Sequence, residues 1–137
     1  MGQLEQILSA EVRQRAILSG SELVLPHSDA LRAIRVAGES QIAVLGVEVF
    51  EIRRDGILTV GCSGYDSAFP KGGNWTSYYK AMNAEAEKWI NSNRFEENHG
   101  YILTSTSESE FVELEKTVDG WKRKKSFLGS IIARFLR

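Results

Sequence analysis

The sequence predicts a single α+β domain in which helices pack on one face of an antiparallel sheet of about four strands. Residues 41–52 are rich in β-forming side chains and lead directly into a turn sequence, Arg54-Asp55-Gly56. Residues 75–92 place apolar side chains at helical spacing. The length of 137 residues suits one domain, spanning 1–137, whose core needs neither disulfides nor metal.

The N-terminal segment predicts two helices joined by an extended link. Residues 3–18 form the first, because apolar side chains recur near one helical face: Leu4, Ile7, Leu8, Val12 and Ala16. Residues 23–26 are extended, since a residue before proline avoids the helical conformation. Ser28 is the predicted N-cap of the second helix, which ends at Gly38.

A β-hairpin is the clearest local prediction. Residues 41–52 form its first strand and residues 57–60 its second. Gly46 shifts the alternation of side chains, so we expect a bulge or kink there. Glu48 and Glu51 mark the more polar face of the first strand.

A glycine-rich connection and a helix follow the hairpin. Residues 61–74 form a long loop, and loops of that length in small domains are often functional. Residues 75–92 form a helix whose apolar stripe consists of Trp75, Tyr79, Met82, Ala86, Trp89 and Ile90. This helix ends at residues 91–93 and an acidic loop continues from it.

The last third of the chain predicts two more strands and a terminal helix. Residues 101–106 have strand composition, and residues 111–118 alternate with a period close to two, which favours a strand. Asp119-Gly120 is a turn. Residues 121–137 form a basic amphipathic helix.

Charge is divided unevenly along the chain. Residues 1–120 hold 11 basic and 18 acidic side chains, whereas residues 121–137 hold six basic side chains and no acidic one. An acidic body repels nucleic-acid phosphates and attracts basic partners. The aromatic side chains Trp75, Tyr78 and Tyr79 are better explained as core than as a base-stacking platform. We therefore expect no nucleic-acid partner.

Catalytic and cofactor motifs are absent from the sequence. One cysteine and two histidines lack the spacing of a metal site, and no glycine-rich phosphate loop occurs. No motif groups a nucleophile with a general base and an orienting acid. We therefore expect a protein that is not an enzyme and has no cofactor. The N-terminus lacks the basic residues of a signal peptide, which favours a cytoplasmic protein.

Protein recognition is the function class that remains. Electrostatic complementarity selects partners, and tyrosine and tryptophan commonly anchor protein interfaces. The candidate partner-binding residues are Tyr65, Asp66, Trp75, Glu96, Glu97, Glu108, Glu110, Glu113 and Glu115.

Several short motifs support this interpretation by resemblance. The motifs are Leu45-Gly46-Val47-Glu48-Val49-Phe50, Tyr65-Asp66, Trp75, Gly100-Tyr101-Ile102-Leu103-Thr104 and Glu110-Phe111. Together they resemble small immunity proteins of bacterial polymorphic-toxin systems, and the pattern is most similar to the immunity protein forty family. The resemblance covers residues 40–111 and implies a non-enzymatic α+β domain that binds a cognate toxin domain and blocks it. It also implies that Glu48 is a partner-binding acidic position, whereas an ordinary solvent-facing strand residue is the alternative. The basic C-terminal segment has no counterpart in the resemblance.

Two other functions stay open on the sequence alone. One is a membrane-peripheral or structural accessory protein that docks through residues 121–137. The other is a hydrolase centred on the Cys62 thiol. Loss of liposome binding on deleting residues 121–137 would indicate the first, and loss of activity in C62A the second.

Overall fold

The computed structural model describes residues 2–54, 63–66, 74–93, 95 and 97–116. Helices and strands in these ranges form an α+β fold. The helices are α1 (Gln3–Ile7), α2 (Ala10–Arg15), α3 (His27–Glu39), α4 (Trp75–Ser92) and α5 (Glu108–Lys116). The strands are β1 (Ile17–Ser19), β2 (Glu22–Val24), β3 (Ala43–Glu51), β4 (Ser63–Asp66) and β5 (His99–Thr106).

The sheet differs in size from the prediction. Among the described residues, β4, β3 and β5 form an antiparallel three-stranded sheet in that order, and β1 pairs separately with β2. A single bridge between Leu25 and Tyr101 connects the end of β2 to β5. The prediction of one sheet of about four strands is therefore wrong, because the β1–β2 pair reaches β5 at one position only.

The central strand β3 carries the predicted irregularity. Its register with β5 shifts between Val44 and Gly46, which is the bulge expected at the glycine. Its partner β4 is taken from the segment predicted as a loop, with Val49 opposite Ser63 and Gly46 opposite Asp66. The predicted second hairpin strand, residues 57–60, lies outside the described residues, as do Cys62 and residues 117–137.

The N-terminal segment forms two short helices rather than the single helix predicted over residues 3–18. The chain is extended at Leu8, and the Ser9 hydroxyl accepts a hydrogen bond from Val12 N–H as the N-cap of α2. Arg13 bonds the carbonyls of Glu5 and Gln6, which are orphan acceptors at the end of α1. The Ser9 cap therefore starts a second helix, although the apolar stripe continues from one helix to the next.

The predicted boundaries of the next helix also change. α3 begins at His27 with Pro26 in the N-cap position, so Ser28 is not the cap, and Gly38 lies inside the helix. Proline supplies the fixed φ that suits a helix start. The predicted helix over residues 75–92 is confirmed, with Asn74 as its N-cap.

The main core lies between the sheet and helices α1 to α4. Val47 and Val49 of β3 pack in it with Ala33 of α3 and Ile90 of α4. Phe50 and Ile102 form a separate buried cluster with Val24. Since side chains alternate between the faces of a strand and residues 43–50 are all buried, both faces of β3 are covered.

One ion pair ties α2 to α3. Arg15 donates from Nε and Nη2 to the two carboxylate oxygens of Asp29, both at 2.8 Å, and the Asp29 side chain is 2% exposed. These hydrogen bonds lower the pKa of Asp29 below its ordinary value, although burial alone would raise it. The charge of Asp29 is therefore held in the folded state by Arg15.

The ion pair predicts a pH-dependent stability. Because folding lowers the pKa of Asp29, its contribution is present above the unfolded-state pKa of about 3.9 and disappears as the pH falls through the lower folded-state value. We expect D29N to melt several degrees below the parent protein at neutral pH. The two melting temperatures should converge in acid, where both side chains are neutral. The control E85Q removes an exposed carboxylate of α4 that takes no part in the ion pair and should leave the melting temperature nearly unchanged. A constant difference between D29N and the parent at every pH would contradict this account.

Candidate functional site

One end of the sheet collects several of the predicted partner-binding residues. β3 begins there, β5 ends there with Thr106 opposite Ala43, and β4 ends there with Asp66 opposite Gly46. The helix α5 starts two residues after β5, and α4 starts beside Gln41. The antiparallel register thus places Asp66, Trp75 and the glutamates of α5 at the same end.

Trp75 is fixed at this end by contacts on two sides. Its indole Nε1 donates to the Gln41 carbonyl at 2.8 Å, and its ring stacks on Tyr78 with centroids 5.4 Å apart. Phe111 of α5 lies 5.4 Å from the Trp75 ring and 4.9 Å from the Tyr78 ring. Trp75 is half-buried, so part of its ring remains at the surface.

α5 is a helix, and the prediction of a strand over residues 111–118 is wrong for the described part of that segment. Ser107 accepts from Glu110 N–H at 3.4 Å, and its hydroxyl donates to Glu110 Oε1 at 3.2 Å. Ser-x-x-Glu is the sequence signature of a capping box, and here the Glu110 carboxylate accepts from the Ser107 hydroxyl. The sequence therefore carried a signal for this helix, and Phe111 is its buried anchor.

The glutamates of α5 surround its exposed side. Glu108, Glu110 and Glu113 are exposed, and the apolar Val112 among them is 40% exposed. At about 100° per residue, Glu108 and Glu110 lie on opposite flanks of the Phe111 anchor and Glu113 lies nearly opposite it. Glu115 follows in the last turn. We call Trp75, Val112 and the glutamates at positions 108, 110 and 113 the α5 surface.

The structure does not bring every candidate residue to the α5 surface. Glu97 is exposed in the turn before β5, at the opposite end of that strand. β5 has eight residues, which at about 3.3 Å each separate its ends by about 25 Å. Tyr65 of β4 pairs with Val47 of β3. Glu96 lies outside the described residues.

Glu48 is buried, although the sequence placed it on the more polar face of its strand. It lies in the middle of β3, opposite Ile102 on one side and Gly64 on the other. It is only 3% exposed, so the solvent-facing alternative is wrong. Both faces of β3 are covered, which is why this carboxylate is buried and does not reach the α5 surface.

Asn83 is a structural residue that the sequence did not reveal. Its Oδ1 accepts from Val44 N–H at 2.8 Å and its Nδ2 donates to the Ile42 carbonyl at 2.9 Å. These backbone groups precede Gly46, where pairing with β4 begins. The amide of an α4 side chain thus satisfies backbone groups that a neighbouring strand would otherwise bond, and it holds α4 against the sheet.

The described side chains offer no metal centre. No group of three or more His, Cys, Asp or Glu residues among them could hold a metal ion. In the same ranges, every helix is too short or too polar to cross a bilayer.

Comparison with known proteins returned no match to this chain among family models, curated proteins or solved structures.

Proposed function

We propose that this chain is a non-enzymatic binding module of the immunity type, which neutralises a cognate toxin domain in the cytoplasm by covering its active surface. The observation that carries the proposal is the α5 surface, where exposed glutamates stand on a helix that is fixed to the body of the domain. The choice of a toxin as partner rests on the resemblance of residues 40–111 to the immunity proteins.

Rigidity makes the α5 surface suitable for recognition. The two hydrogen bonds between the Ser107 hydroxyl and Glu110 cap the start of α5, and Phe111 packs against Trp75 and Tyr78. A helix that is already formed loses little conformational entropy on binding. The half-buried Trp75 and the exposed Val112 add apolar area beside the carboxylates.

Charge indicates the partner's chemistry. α5 carries four glutamates and one lysine. Such a surface accelerates association with a basic protein and disfavours nucleic acid or an anionic membrane. A toxin that acts on nucleic acid presents a basic surface to the phosphates of its substrate. Glutamates that cover this basic surface would keep the nucleic acid from binding to the toxin.

The experiment reverses charge on α5 without disturbing its cap. E108K/E113K changes two exposed positions and leaves Glu110, whose carboxylate belongs to the capping box, in place. We expect association with the toxin domain encoded beside this chain's gene to slow by about tenfold or more at low salt, and the difference to shrink at high salt. Growth rescue on co-expression should weaken in parallel.

A matched control separates the α5 surface from overall charge. E11K/E85K makes the same change in net charge at exposed positions of α2 and α4. It should retain association and rescue close to those of the parent protein. Parental association kinetics in folded E108K/E113K would contradict the proposed interface.

A further inference from the structure

A groove of about 430 Å³ runs between α3 and α4, and none of its lining residues belongs to the α5 surface. Ile34 and Tyr79 form an apolar part of its floor, and Gly38 and Ala84 keep it open because they are small. A Cβ at Gly38 would have only Asn83 within 4 Å, at an ordinary contact distance of 3.7 Å. The floor is therefore open enough for another surface to approach it.

The two helices run antiparallel along this groove. Arg35 of α3 faces Glu87 of α4, with Nη2 and Oε1 3.9 Å apart, while Gly38, further along α3, faces the earlier Asn83 on α4. One end of the groove thus carries Arg35 and Glu87. The other end carries Glu39 and Lys80. Glu39 lies one turn after Arg35 on α3, and Lys80 lies two turns before Glu87 on α4.

The four rim charges alternate in sign around the groove. α3 carries a positive group and then a negative one, and α4 carries the opposite order at the same ends. The rim has no net charge, so a strongly basic or acidic partner gains little from it. A second copy of the same charge arrangement matches it when a two-fold axis runs along the groove, because α3 then lies over α4 of the other copy. Each positive group meets a negative group in that arrangement.

We propose that the chain forms a two-fold symmetric dimer through the α3–α4 groove. Arg35 pairs with Glu87 of the second copy, and Glu39 pairs with Lys80 of the second copy, around the small residues Gly38 and Ala84. The four helices then form a bundle in which each helix is antiparallel to the neighbours it contacts. The Arg35–Glu87 pair within one chain is long and exposed, with side chains 69% and 38% exposed, so both groups can accept a further partner.

The first measurement is the mass of the full chain in solution by sedimentation equilibrium. We expect a concentration-dependent dimer of twice the 15.3 kDa chain mass, weakened by high salt. K80E places a glutamate opposite Glu39 of the second copy at two symmetric positions, so its dissociation constant should rise by about tenfold or more. K88E makes the same charge change at an exposed position of α4 outside the groove and should dimerise like the parent protein.

Charge exchange tests the pairing itself. E39K should also weaken the dimer, but a mixture of K80E with E39K should form a heterodimer, because both intermolecular pairs are then attractive. Circular dichroism of each variant checks that it is folded. A chain that is monomeric at every concentration, or a mixture without rescue, would overturn the proposal. The groove shares no residue with the α5 surface, so neither result depends on the proposed function.

Discussion

We expect N83L to lower the free energy of unfolding by roughly 2–6 kcal/mol, because two buried backbone groups then lose their partner and each such loss costs about 1–3 kcal/mol. Leucine is close to asparagine in size, so lost hydrogen bonding rather than a cavity dominates the change. Val44 N–H and the Ile42 carbonyl are the groups affected. Urea denaturation measures this loss of unfolding free energy, provided that the dependence of the free energy on urea concentration is the same in both proteins.

Two further variants identify the cause of that loss. N83D keeps an acceptor for Val44 N–H but places a second oxygen against the Ile42 carbonyl. Its deficit should shrink in acid, where the protonated carboxyl can donate a hydrogen bond. N93A removes an exposed side-chain hydrogen bond to the Trp89 carbonyl at the end of the same helix and should cost far less. Equal losses in N83L and N93A would contradict the role given to Asn83.

The second large effect is expected at Gly100 of β5. A Cβ there would overlap Cγ1 of Val24 and lie 3.2 Å from Cδ1 of Ile52. Val24 is 1% exposed and its branched side chain has little freedom to move. We expect G100A to destabilise the protein by about 1–3 kcal/mol, the usual cost of overpacking, as measured by chemical denaturation.

G38A is the matched control for the glycine substitution. Gly38 lies within α3, and an added Cβ there makes only an ordinary contact with Asn83. Alanine favours a helix by up to about 1 kcal/mol relative to glycine, so G38A should be neutral or stabilising. A stable G100A would mean that β2 does not pack on β5 as closely as the structure has it.

Local patterns were sufficient for β3 and α4. The β-forming composition of residues 41–52 and the helical spacing of the apolar stripe in residues 75–92 predict these elements. The bulge at Gly46 was predicted for the same reason. Such features depend mainly on residues that are close together in the sequence.

Residues near Phe111 show where a local pattern misleads. Alternation over 111–118 suggested a strand, but the Ser107–Glu110 capping box and the packing of Phe111 on Trp75 and Tyr78 favour a helix. The capping box was readable from the sequence. The aromatic contacts were not, because they join segments more than thirty residues apart.

The sequence by itself determined the α+β class, the strand β3, the helix α4 and the division of the chain into an acidic body and a basic C-terminal segment. Only the tertiary structure decided which carboxylates are accessible. It buries Glu48 within the sheet, separates Glu97 from α5 by the length of β5, and leaves Glu108 and Glu113 exposed. The physical reason is that local preference follows from neighbouring residues, whereas burial and proximity depend on which distant segments pack together.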